Sequence, residues 1–209
     1  MLPGNELSSL RMVRVGPLDG DLRWDLGYDW MVEPILAAFE GGIGSVDLVD
    51  YEAPSFDRIE AALLTKALEL EVGGHILGIT GADLCGAEEG DRSGFMFGGK
   101  DHRNDVAVVS ARRLGPGPRD LLEQRLCKVA LHELGHNFGL VHHYALVVAR
   151  DGGCCPMSKG EYNGFGEVGY LRAVIDQRGF SFCDGCRDFV RRRGSLAADA
   201  AAAADRLPA

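Results

Sequence analysis

The residues from His132 to His142 (His-Glu-Leu-Gly-His-Asn-Phe-Gly-Leu-Val-His) fit H-E-x-x-H-x-x-G-x-x-H without a gap, and this stretch carries the most specific chemistry in the chain. On an α-helix, side chains four positions apart lie about 40° apart around the axis and one turn apart along it, so His132 and His136 can converge on one metal ion. A third ligand cannot come from the same helical face. Gly139 supplies the break: without a Cβ it can take a left-handed conformation, end the helix and turn the chain so that His142 reaches back. Three neutral imidazoles leave one position of a tetrahedral Zn²⁺ open. That is the pattern of a catalytic rather than a structural zinc, because a water held there has its pKa lowered to about 7. Glu133, next to the first ligand, is the natural general base for that water.

The elements that must position this site follow from hydrophobic spacing. Pro116-Gly117-Pro118 breaks the chain before Arg119–Phe138, where Leu122, Leu126, Val129 and Ala130 recur at helical spacing and define the active-site helix. Cys127 lies too far along that helix to share a metal with His132 and reads as core. His75–Thr80, an apolar run bounded by glycines, reads as a central buried strand. Leu10–Val15, Val46–Tyr51, Gly94–Gly98 and Val106–Ser110 read as further strands. Tyr28–Glu40 has helical spacing through Met31, Ile35, Leu36 and Phe39. A further helix is expected from an N-cap at Ser55 to about Leu70, with Ile59, Leu63 and Ala67 as its buried stripe. His75 reads as a strand-end histidine and His102 as a solvated one. The alternation of strands and helices indicates an α/β (α+β) fold.

Downstream, Cys155-Pro156-Met157 and Cys183-Asp184-Gly185-Cys186 complete a second pattern. The extended histidine motif resembles the metzincin clan of zinc peptidases. Cys-x-Met followed by Cys-x-x-Cys resembles the archaemetzincins in particular, as do Ala53–Arg58 and Ala82-Asp83-Leu84. The resemblance implies a metzincin-like mixed, twisted sheet with the active-site helix against it, and a Met-turn at Met157, an apolar floor beneath the zinc ligands. It also implies a second, structural zinc that holds a small C-terminal lobe, with Cys155, Cys183 and Cys186 among its ligands. The family's usual fourth cysteine is replaced by His143, and 11 residues separate His143 from Cys155, a longer spacer than in the family. The fourth ligand is therefore either His143 or Cys154, both chemically competent for zinc. The family also implies a sheet-edge strand over the cleft, near Val106–Ser110, to which an extended peptide can add, and aminopeptidase-like activity in some members.

At 209 residues the chain can bury a substantial core. A single metallopeptidase domain is expected over residues 1–188, with an N-terminal lobe over about 10–139 and a C-terminal lobe over about 140–188. Residues 189–209 then form an Ala/Arg-rich tail with Arg191-Arg192-Arg193 at a solvated helix end. The net charge of −9 opposes nucleic-acid binding, which needs a surplus of Lys and Arg. Met1–Val15 lacks the apolar core of a secretory signal, and no run is long enough to span a bilayer. A cytoplasmic monomer is expected, acting on a peptide or protein substrate, with six reduced cysteines available as metal ligands and two zinc ions per chain.

Overall fold

The computed structural model describes residues 8–16, 28–53, 57–86, 96–100, 105–159 and 166–204. In chain order the elements are β1 (Ser8–Val15), a 3₁₀ turn at Asp29–Met31 that runs into α1 (Val32–Ala38), β2 (Ile43–Tyr51), β3 (Arg58–Glu60) and α2 (Ala61–Glu71). They continue with β4 (His75–Thr80), β5 (Asp83–Cys85), β6 (Gly98–Lys100), β7 (Val106–Ser110) and α3 (Arg119–Asn137). Last come α4 (Gly166–Tyr170), one π-helical turn at Leu171–Ile175, and α5 (Asp184–Ala204). The expected N-cap at Ser55, the first half of the Gly94–Gly98 segment and His102 lie outside the described residues.

Five strands form a mixed sheet in the order β2-β1-β4-β7-β6, parallel except for the antiparallel pair β6 and β7, and β3 and β5 make a separate parallel pair. Because side chains alternate across a strand, each central strand feeds two cores. Leu10, Met12, Leu77, Ile79, Ala107 and Val109 join the core that includes α3, whereas Val13, Val15, Ile76, Val106 and Val108 pack with Leu64 and Leu68 of α2. Burial on both faces explains why β4 and β7 read as uninterrupted apolar runs. At Gly78 the α2 side leaves no room for a side chain: a Cβ there would lie 2.6 Å from Leu68 Cδ1.

Two expectations are corrected. The buried stripe of α2 is Ala61, Leu64, Thr65 and Leu68, and Leu63 is 62% exposed. The helix starts at Ala61, and Ile59 belongs to β3, so the stripe is out of phase with the spacing Ile59–Leu63–Ala67. On this side of the sheet the edge strand is β6, with β2 at the opposite edge, because β7 is hydrogen-bonded to β4 on one side and β6 on the other. Val106–Ser110 has no free ladder groups to offer a peptide. Gly98–Lys100 is the edge strand, and Lys100 Nζ ties it to the end of α3 by donating to the His136 carbonyl at 2.8 Å.

After Gly139 the described chain has isolated bridges rather than strands of a sheet. The long spacer folds back on itself: Val147–Ala149 pairs with Gly153–Cys155, and the Asp151 carboxylate accepts from the N–H groups of Gly153, Phe180 and Ser181. Arg125 of α3 ties the chain after Gly139 to α3 through a bidentate pair with Asp176 at 2.7 Å, and makes a third bond to the Leu114 carbonyl. Helix α5 runs through position 189, where the tail was expected to begin. Val190 is in the core, Arg191 pairs with Glu40, and Arg193 donates to the Phe138 carbonyl at the end of α3.

Candidate metal centres

The end of α3 builds most of the first centre. Gly139 adopts φ +84°, its N–H donates to the His136 carbonyl, and the Leu140 N–H donates to the Gly135 carbonyl. This pair of bonds is a Schellman motif, which requires a left-handed residue that glycine adopts without steric cost. The turn also has a chemical consequence. It aims the Leu140 carbonyl back at the helix, where it accepts from His136 Nδ1 at 2.9 Å. The His132 Nδ1 likewise donates to the Pro156 carbonyl at 2.8 Å. A carbonyl can only accept, so both rings carry their proton on Nδ1 and present a bare Nε2.

Those nitrogens meet at one point. His142 Nε2 lies 3.0 Å from His136 Nε2 and 3.2 Å from His132 Nε2, and the His142 ring stacks on that of His132 at an interplanar angle of 10°. Ring nitrogens at this separation can share either a proton or a metal ion between them. Three nitrogens about 2.0–2.1 Å from a tetrahedral zinc would be roughly 3.3 Å apart, so the cluster has the size for that ion. Burial, first, and the neighbouring rings push the His132 imidazole well below the ordinary histidine range and His142 down to about 4. The neutral, metal-binding form is therefore favoured before any metal enters.

Glu133, the residue after His132 in α3, is buried, and burial pushes its carboxyl up to about 7, with the Arg178 guanidinium opposing the shift. Its side chain lies against the edge strand, where Gly98 provides the space. Met157 is fully buried beneath α3, and a Cβ on Gly135, one position before His136, would collide with its sulfur. The loop after Met157 is held by its own backbone: the His143 N–H donates to the Met157 carbonyl, and the Lys159 N–H to the His143 carbonyl. Arg178 is the residue that sequence reasoning missed. Although 3% exposed, it donates two hydrogen bonds to the Ser158 carbonyl and lies within electrostatic reach of Glu133 and Cys155. Only the residue type, an arginine inside an otherwise turn-like Gln177-Arg178-Gly179, signals it in the sequence.

The second cluster contains His143, Cys155, Cys183 and Cys186, with their donor atoms all within 4.8 Å of one another. His143 Nε2 is 3.2 Å from Cys186 Sγ and 3.4 Å from Cys183 Sγ, and Cys155 Sγ is 4.0 Å from Cys186 Sγ. Disulfide sulfurs lie about 2.05 Å apart, whereas thiolates on a tetrahedral zinc lie roughly 3.8 Å apart. All six cysteines are unpaired. Of the two sequence candidates for the fourth position, the structure brings His143 to the thiols and leaves Cys154 outside. Cys154 sits in an extended segment, with its N–H on the Gln177 carbonyl and its carbonyl taken by the Gly179 N–H. Alternation along such a segment turns Cys155 inward and its neighbour away. Cys127 is buried in the α3 core, where burial pushes its thiol up to about 12, an inert state.

The two clusters share a strand of chain, His142-His143, whose consecutive side chains enter different centres. Among the described residues no helix is long and apolar enough to cross a membrane.

No family model matches the chain, but curated proteins and solved structures resemble it. A curated archaemetzincin of Pyrococcus furiosus is 41% identical over 73 residues, 32% of this chain and 36% of that protein. The matched stretch thus spans about a third of that relative's length. The crystal structure of an archaemetzincin from Methanopyrus kandleri superposes with a TM-score of 0.65 at 24% identity, covering 92% of this chain and 98% of that one. A zinc-dependent peptidase of Methanocorpusculum labreanum superposes with a TM-score of 0.58 at 20% identity, covering 87% and 99% respectively. At these identities the structural likeness is one of fold.

Proposed function

On the premise that this chain is a relative of the archaemetzincins in fold and, over about a third of its length, in sequence, we propose that it is a zinc-dependent metallopeptidase acting on peptides or proteins. The observation that carries the reading is the convergence of three imidazole Nε2 atoms, with a buried carboxylate on the residue that follows the first of them in α3. In this proposal His132, His136 and His142 hold a catalytic zinc, and His143, Cys155, Cys183 and Cys186 hold a structural one, giving two zinc ions per chain. The catalytic ion, when bound, supplies Lewis acidity to water and to the scissile carbonyl. Glu133 takes a proton on its carboxylate and returns it to the leaving amine, and its burial keeps its proton affinity in the range where both transfers work. The Nδ1–H bonds to Pro156 and Leu140 hold the rings of His132 and His136 in register. Met157 fills the floor beneath them. The thiolate-rich site braces a lobe that has little sheet of its own.

Aminopeptidase-like cleavage is the finer form of this proposal. It is tested by incubating the zinc-loaded protein with a mixed peptide library and reading the cut positions by mass spectrometry, with Glu133→Ala as the control. Removal of single N-terminal residues by the wild type alone is the expected result. Internal cuts would make the protein an endopeptidase, and a library left intact by zinc-replete protein would remove the peptidase reading.

A further inference from the structure

We infer that Gly98 is a positioning residue for Glu133: the missing side chain on the edge strand is the space into which the carboxylate arm fits. This inference rests on the reading of Glu133 as the base. An ideal Cβ built on Gly98 would lie 2.5 Å from Glu133 Cγ and 2.9 Å from both Cδ and Oε1, and these are the three nearest atoms it would meet. Real Cβ atoms do not approach so closely, so one partner must yield. Gly98 is paired with Val109 in the sheet and has an ordinary backbone conformation, so the strand accepts alanine without conformational strain. The Glu133 backbone is fixed inside α3. The part free to move is the carboxylate arm, and moving it displaces the base while leaving His132 and His136 of the same helix, and with them the histidine cluster, in place. The next residue supplies a contrast, because strand alternation turns it the other way. A Cβ on Gly99 would meet Ala61 Cβ and Met96 Cε at 3.2 Å, and neither belongs to the histidine cluster or to the thiol cluster.

A displacement of about 1 Å at a reacting group costs on the order of 100-fold in rate. Gly98→Ala is therefore expected to lose about that factor in kcat on the cleaved peptide, with KM and zinc content near wild type. The second measurement does not need turnover. Gly98→Ala should lower the Tm of the zinc-loaded protein when Glu133 is present and leave it unchanged in the Glu133→Ala background, where the clashing atoms are gone. Gly99→Ala should shift the Tm equally in both backgrounds. If Gly98→Ala lowers the Tm by the same amount with and without the Glu133 side chain, or leaves kcat at the wild-type value, the inference is wrong. If the wild type cleaves nothing, the peptidase reading fails by itself, and the Tm comparison still decides whether Gly98 sets the place of Glu133.

Discussion

Arg125 offers the sharpest test of how the chain after Gly139 is held to α3. Its side chain is 6% exposed, makes a two-pronged pair with Asp176 at 2.7 Å, and also donates to the Leu114 carbonyl at 2.7 Å. Arg125→Ala strips the partner from a carboxylate and the donor from a buried carbonyl in one step. Breaking a buried ion pair from one side costs about 3–5 kcal/mol, and an unpaired buried carbonyl about 1–3 kcal/mol. Asp176 is 24% exposed, so water recovers part of the first cost, and the two costs overlap. The expected total is about 3–4 kcal/mol. For a chain of this size it corresponds to a fall in Tm of roughly 6–16 °C. Asp176→Asn keeps the shape and one acceptor, and should cost about 1–2 kcal/mol. Urea unfolding in excess zinc, followed by far-UV circular dichroism, measures both variants without adding metal loss to the reading. A cost below about 1 kcal/mol for Arg125→Ala would refute the claim that this pair holds the chain after Gly139 to α3.

Three further outcomes are expected. His142→Ala should lose the imidazole-bound zinc, whereas Glu133→Ala should keep it and lose about 10²–10⁴ in rate, as read by metal analysis alongside peptide hydrolysis. Replacing Cys183 and Cys186 with serine should lower zinc from two ions to one per chain, and proteolysis should then strike first beyond Gly139, where the described chain has isolated bridges in place of a sheet. At the fourth ligand position, His143→Cys should retain the structural zinc and His143→Ala should weaken it. Cys154→Ser should leave it intact, as measured by competition with a chromogenic chelator. Zinc lost on Cys154→Ser and kept on His143→Ala would reverse the assignment.

What is legible in this sequence is what local geometry controls. His132, His136 and His142 lie within eleven residues, so helical pitch and one left-handed glycine are enough to infer their convergence. The strands His75–Thr80 and Val106–Ser110 are equally legible, because burial on both faces leaves an unbroken apolar run between polar or glycine boundaries. The phase of α2 is not legible: Ile59, Leu63 and Ala67 fit a helical stripe as well as Ala61, Leu64 and Leu68 do, and only the short strand β3 decides where the helix begins. Strand order is hidden as well. Nothing in the composition of Val106–Ser110 or Gly98–Lys100 says which one lies at the edge, since that depends on pairings between distant segments. Arg178 and Gly98 act on Glu133 from 45 residues after it and 35 before it, one through charge and the other by lacking a side chain. A glycine in a strand pattern signals close approach of something, but not of what.

The claim on which the rest depends is that the three imidazoles and the thiol cluster are separate zinc centres. Anomalous diffraction from crystals of the purified protein, recorded on both sides of the zinc absorption edge, tests it directly. Two peaks are expected: one about 2.0–2.1 Å from Nε2 of His132, His136 and His142, and one about 2.3 Å from the sulfurs of Cys155, Cys183 and Cys186 with His143 as its fourth neighbour. A fully occupied thiol site with no peak among the histidines after incubation with zinc would contradict the account.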